Sequence, residues 1–270
     1  MPEVVVLGVP GPATARVATA LADSLRTSVS FADENPSAAV QVTWPPGLLQ
    51  PAGVTVFIDD LPRDLLPARA PVLAGLARAR AEGRIVRVFV TAKSAVDWAR
   101  AVADSGLPAP SPLRRVYLAS GEGETSAALA SNLASLLALP LVEPEAGHAE
   151  HEYDGWGPRY EALARQESWL IHSPTWHAAE ALAPAADLIL FLESSAADPR
   201  AEFPSPLPQA SKWRRLFGPW FKRYPGVEAR LLGREIANHA GETPVLRIRT
   251  REEQAALVAA LGATVRVVLP

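Results

Sequence analysis

The chain contains no cysteine, which excludes disulfides, thiolate nucleophiles and cysteine metal sites and fits a reducing compartment. It is nearly without lysine: Lys93, Lys212 and Lys222 are the whole supply. Arginine therefore carries most of the positive charge, and any lysine-dependent chemistry has only those three candidates. Net charge is also small, −3 at pH 7 from 26 basic and 29 acidic residues. No global field selects nucleic acid, an anionic membrane or an acidic substrate, so any such preference must be local. Long hydrophobic runs are missing. The longest apolar helical stretch, Ala127 to Leu141, is interrupted by Ser131, Asn132 and Ser135 and falls short of the roughly 20 residues that span a bilayer. The opening MPEVVVLGVPG carries an acid at Glu3 and turns after a short apolar run, unlike a secretory signal. The expectation is a cytoplasmic protein with no transmembrane segment.

What remains is a chain of 270 residues, 49% hydrophobic, enough for one large domain or two ordinary ones with buried cores. EVVVLGVPG followed by ATARVATALADSL reads as strand, glycine turn and helix. GVTVFIDDLP is a buried-type strand ending in Asp59 and Asp60, and LLPARAPVLAGLARARAEG is a helix closed by Gly83. RIVRVFVTAKSAVDWARAVADSG adds a strand, a Ser94-x-x-Asp97 start resembling a capping box, and a helix. After the proline-rich LPAPSPLRR the plan restarts. RRVYLASGEGETSAALASNLASLLA repeats strand, turn and helix; ADLILFLESS repeats the buried strand ending in an acid. TPVLRIRTREEQAALVAALG then repeats strand, Thr250-x-x-Glu253 cap and closing helix. Internal duplication and the generic grammar of α/β units both account for this echo. The expected fold class is α/β: two Rossmann-like or P-loop-like three-layer α/β/α domains with mainly parallel sheets. Their boundaries are 1–108 and 116–270, with a linker at 109–115.

The turn in VYLASGEGETSAALASNLASLLALPLVE is the main candidate site. A phosphate loop uses glycines so that backbone N–H groups can converge on one anion at a helix start. In the G-x-x-x-x-G-K-[ST] form a lysine reaches the terminal phosphates and a hydroxyl holds magnesium. Anchored on Gly123, the pattern puts Leu118 at the first glycine, Glu124 at the lysine and Thr125 at the hydroxyl. In the first half Gly8 keeps the leading glycine, but Ala13, Thr14 and Ala15 take the other places. A degenerate phosphate loop, an active one using another cation, and a plain strand-to-helix turn all fit these residues.

From residue 116 to 262 the chain resembles the small P-loop kinases of the adenylate and shikimate kinase type, particularly the topology modulation proteins. LALPLVEPE, YDGWGPRYEALARQESWLIHSPTW, AADLILFLESS, SKWRRLFGPWFKRYPG and PVLRIRTREEQAALVAALG follow in the order those chains use. The resemblance implies a nucleotide site at Gly121, Gly123 and Thr125, with Lys212, Arg214 and Arg215 in the lid over the phosphates. The bound group would be ATP or another nucleotide, with or without magnesium. Departures fall on the chemistry: Glu124 replaces the lysine, and His172 replaces the aspartate of the family's WVIDG segment. The turn also echoes the partitioning ATPases, whose two lysines are here Ser120 and Glu124. The first half distantly resembles a receiver or a GTPase through Asp59, Asp60, Thr91 and Lys93, although polar residues at strand ends are more often helix caps and solvated turns.

Three further groups carry possible chemistry. His148 and His151 lie among carboxylates in EPEAGHAEHEYD without a standard metal spacing. His172 and His177, beside Trp169 and Trp176, flank a strand end where a histidine serves either as a general base or as a hydrogen-bonded packing residue. Residues 212–224, KWRRLFGPWFKRY, interleave cations with rings. That composition suits a phosphate lid, single-stranded nucleic acid, a membrane surface or a protein interface. The reading reached from sequence is a pseudokinase: a regulatory or scaffolding module with a protein partner or a second copy of itself. Its alternatives are an active small-molecule or nucleotide kinase with a non-standard cation, and a nucleic-acid-binding protein working through 212–224.

Overall fold

The computed structural model describes residues 4–7, 12–25, 29–31, 40–43, 54–59, 69–105, 111–120, 124–144, 156–193 and 224–268. Among these the chain runs β1 (Val4–Leu7), α1 (Pro12–Leu25), β2 (Val29–Phe31), β3 (Val40–Thr43), β4 (Val54–Ile58), α2 (Arg69–Ala81), β5 (Ile85–Phe89) and α3 (Ala92–Ser105). It continues with β6 (Arg115–Ala119), α4 (Glu124–Leu137), β7 (Leu141–Val142), α5 (Trp156–Ala164), β8 (Trp169–Ser173), α6 (Ala178–Leu182) and β9 (Leu188–Leu192). Helix α7 (Tyr224–His239), β10 (Val245–Ile248) and α8 (Arg251–Val268) complete it. The residues group into two compact units, Met1–Leu113 with Ala255–Pro270, and Arg114–Gln254.

The fold is α/β, and every described strand pair is parallel. Both sheets have one strand order. The first is β2-β3-β1-β4-β5, and the second, β7-β8-β6-β9-β10, is identical when its strands are counted from β6. The likeness reaches individual bonds. Asp59 N–H donates to Phe89 O at 2.8 Å and Glu193 N–H to Ile248 O at 2.9 Å, so each acid ends a fourth strand against the end of a fifth.

The matched closing helices are capped alike. Ser94 N–H donates to Thr91 Oγ1 at 3.2 Å and Glu253 N–H to Thr250 Oγ1 at 3.1 Å. The Thr250 cap expected from sequence is therefore present, and Glu253 turns back to accept from Arg249 N–H at 2.6 Å. The Ser94 cap is replaced by Thr91, because α3 already starts at Ala92 and Ser94 is its third residue. Asp97 instead accepts from Lys93 Nζ at 2.6 Å. That hydrogen bond holds the Asp97 carboxyl below its usual value. The exposed pair is then present above the ordinary aspartate range and is lost as pH falls through the lowered value. Lys93→Met should return the Asp97 midpoint, followed by carboxylate NMR, to the ordinary range.

Helix ends follow a second rule. Gly83, at φ 78°, closes α2 with Gly83 N–H to Arg80 O at 3.1 Å and Arg84 N–H to Ala79 O at 2.9 Å, the paired bonds of a Schellman cap. At the end of α4 the same pair, Ala138 N–H to Ser135 O and Leu139 N–H to Ala134 O, forces Ala138 to φ 52°. An L side chain is strained there, so Ala138→Gly should stabilise the fold by about 1 kcal/mol, read as a rise in denaturant midpoint.

Strand β4 is buried at all five positions, and so is β9, because helices cover both faces of a parallel sheet. In the first unit Val54, Val56 and Ile58 join Val17, Ala18, Ala95 and Ala99 of α1 and α3 in one core. Alternation turns Thr55, Phe57 and Asp59 to the opposite face. In the second unit Tyr117, Ala119, Trp169, Ile171, Ile189 and Phe191 pack with Tyr160, Leu182, Leu232 and Ile236 of α5, α6 and α7. Gly233 lets α7 approach closely: a Cβ there would stand 3.1 Å from the Phe191 ring. The alternate residues Leu118, Ser120, Leu170 and His172 face the other way, and α4 lies against β8 and β7.

Candidate functional site

In a parallel sheet all strands end at one edge, and β6, β8 and β7 are neighbours in the second unit. Three polar side chains from their ends meet there. Ser120 follows β6, His172 lies in the last turn of pleat of β8, and Glu143 follows β7. Ser120 Oγ is 2.9 Å from His172 Nε2, and Glu143 Oε1 is 2.9 Å from His172 Nδ1. Ser120 is fully covered and His172 is 6% exposed, whereas the Glu143 side chain keeps 35% of its surface open.

The bonding pattern sets the protons. The Glu143 carboxylate only accepts, so Nδ1 carries the hydrogen. With the proton there, Nε2 of the uncharged imidazole form is the acceptor for the Ser120 hydroxyl. Serine, imidazole and carboxylate thus form one continuous relay, in the chain order Ser, Glu, His. His172 reaches this position because alternation places it on the side of Leu118 and Leu170, away from Trp169 and Ile171. His177 does something else: it is exposed, with its ring centroid 3.5 Å from that of Trp176.

The turn proposed as a phosphate cradle can be placed by its ends. Leu118, at the position of the leading glycine, is a fully buried strand residue paired with His172 on one side and Leu190 on the other. The strand runs on through Ala119, and α4 begins at Glu124. Residues 120–123 separate the end of β6 from the start of α4. Thr125 falls in the first turn of α4, while Gly121 and Gly123 lie outside the described residues. So do Lys212, Arg214, Arg215, the rest of 212–223, and His148 and His151.

At the ends of β9 and β10, apart from the relay, Arg247 and Arg249 lie at 3.4 and 3.3 Å from Glu193. On the other sheet face Tyr160 OH and Ser173 Oγ lie 2.9 and 3.2 Å from Thr175 Oγ1, joining three hydroxyls.

In the first unit, Asp59 accepts from Arg69 Nε at 2.8 Å and Nη2 at 2.6 Å, both side chains being buried. This bidentate pair binds the acid that the receiver-like and GTPase-like resemblance singled out. Thr91 is a helix cap and Lys93 an exposed ion-pair partner; Asp60 lies outside the described residues. Sequence reasoning named His172 but assigned no chemistry to Ser120 or Glu143. The available signal was a polar residue at the end of each of three strands, and only strand order makes them neighbours. Among the described residues no helix is long and apolar enough to cross a membrane. Compared with protein-family models, with curated proteins and with solved structures, the chain matches none.

Proposed function

We propose that the second unit is a kinase-like module that has lost phosphoryl transfer and acts as a regulatory or scaffolding part, bound to a protein partner or to a second copy of itself. At most it keeps a nucleotide or another anion at Gly121, Gly123 and Thr125. One observation carries the reading: β6 continues through Leu118 where a glycine would release the backbone, and α4 opens on Glu124 where a lysine would meet the phosphates. Two unit charges about 4 Å apart interact by several kcal/mol at a protein surface, and here the sign is repulsive. The order of the kinase-like segments along the chain supports the scaffold, and the residues at the turn support the loss.

A thermal-shift titration tests it. ATP at millimolar concentration, with or without magnesium, should move the wild-type melting temperature by less than about 1 °C. Glu124→Lys should gain an ATP-dependent rise of roughly 3–6 °C, the stabilisation expected near 10 to 100 times Kd. No response in either protein would reduce the segment to a plain strand-to-helix turn. Magnesium-dependent ATP turnover at ordinary kinase rates would overturn the proposal, and loss of a wild-type shift in Arg215→Ala would point to the active kinase. Binding of single-stranded nucleic acid that weakens steeply with salt would favour the basic segment 212–224 as the working part.

A further inference from the structure

We propose that Ser120, His172 and Glu143 form a nucleophilic relay that cleaves uncharged carboxylic esters. This goes beyond the loss of phosphoryl transfer and stands on geometry alone. Both bonds of the relay measure 2.9 Å, and its tautomer is the one that lets Nε2 withdraw the serine proton. Its two inner members are shielded from water, where a hydrogen-bonded chain is strongest. A purely structural role would not need three linked polar groups on a sheet face otherwise lined by Val116, Leu118, Leu170 and Leu190, since apolar residues fill such a face without desolvating anything.

The chemistry balances with water as co-reactant. Ser120 Oγ bonds to the ester carbonyl carbon as its proton passes to His172 Nε2, and Glu143 holds the imidazolium by Nδ1–H. The tetrahedral intermediate breaks the bond to the leaving alkoxide, which takes the proton back from Nε2. Water then repeats the sequence at the acyl carbon, giving up a proton to Nε2, and collapse releases the acid and restores the serine hydroxyl. Charge selects the substrate. Glu143 disfavours an anionic ligand, whereas a neutral carbonyl acquires charge only in the transition state. The N-terminus of α4, whose first residue follows Ser120 by four, supplies the positive end for that charge.

Diisopropyl fluorophosphate is the probe, and intact-mass and peptide spectrometry read the site. The full-length protein should gain one adduct, on Ser120, and Ser120→Ala none. His172→Ala should slow labelling by about a hundredfold or more. Glu143→Gln, altered at the half-open end of the relay where the fold tolerates change, should slow it about tenfold or more. Hydrolysis of p-nitrophenyl acetate should fall in the same order. A folded wild-type protein that stays unlabelled at Ser120, or is labelled at a rate indifferent to both His172→Ala and Glu143→Gln, overturns the proposal. Neither result depends on nucleotide binding, so failure here leaves the kinase-like reading to its own titration.

Discussion

Arg69→Met is expected to destabilise the protein by roughly 3–5 kcal/mol, lowering the melting temperature by about 10 °C or more. Arg69 has no exposed side-chain surface and Asp59 has 3%, so removing the guanidinium strands a carboxylate in the space between β4 and α2. The loss is mainly that of an uncompensated buried charge rather than of packing, because methionine nearly fills the same volume. A double variant, Asp59→Leu with Arg69→Met, should therefore recover most of the stability, since an apolar pair of similar size is commonly neutral or better. The two single changes and the double one form a cycle read by urea denaturation. A double variant as unstable as Arg69→Met would show that Arg69 acts through its other contacts. The pair also bears on function: an aspartate bound at both oxygens by an arginine does not serve as an open metal ligand or phosphate acceptor.

Leu118→Gly is the second large effect. A glycine at this position, where a phosphate-loop pattern would begin, removes a fully buried side chain from the middle strand of its sheet. A buried leucine cut back to alanine costs about 2–5 kcal/mol, and a glycine in a strand adds about 0.5–1 kcal/mol through backbone freedom. Glu124→Lys, at the first position of α4, should cost only about 0.3–1 kcal/mol, the price of a cation at a helix N-terminus. Urea midpoints of the two variants should differ accordingly. A phosphate-loop pattern can thus be introduced at residue 124 at small cost but not at residue 118. If Leu118→Gly were as stable as Glu124→Lys, Leu118 would not be a packed strand residue, and the proposed loss of transfer would lose that support.

Much of the architecture was legible beforehand because its signals are local. Continuous apolar runs such as VTVFI and LILFL identify strands covered on both faces, and glycine at Gly83 marks a left-handed helix end that β-carbon sterics reserve for it. The Thr250-x-x-Glu253 cap was readable for the same reason: donor and acceptor lie three residues apart. Its counterpart was misplaced because Ser94 and Asp97 have the right spacing, and only the end of β5 shows that the helix has already begun at Ala92. Ala138 carried no signal, since alanine is the best helix former and nothing in its type announces a positive φ.

By itself the amino-acid sequence determined the α/β class, the repeated element plan, and an acid, Glu124, at the start of α4. Tertiary structure decided which residues meet. Ser120, Glu143 and His172 are separated by 23 and 29 positions along the chain and come together only because β6, β8 and β7 are neighbours with their ends at one edge. Asp59 and Arg69 pair because alternation turns the acid toward α2. Periodicity reports which face of a strand is buried, but it is blind to which strand lies alongside, and a relay of hydrogen bonds near 2.9 Å depends on that adjacency.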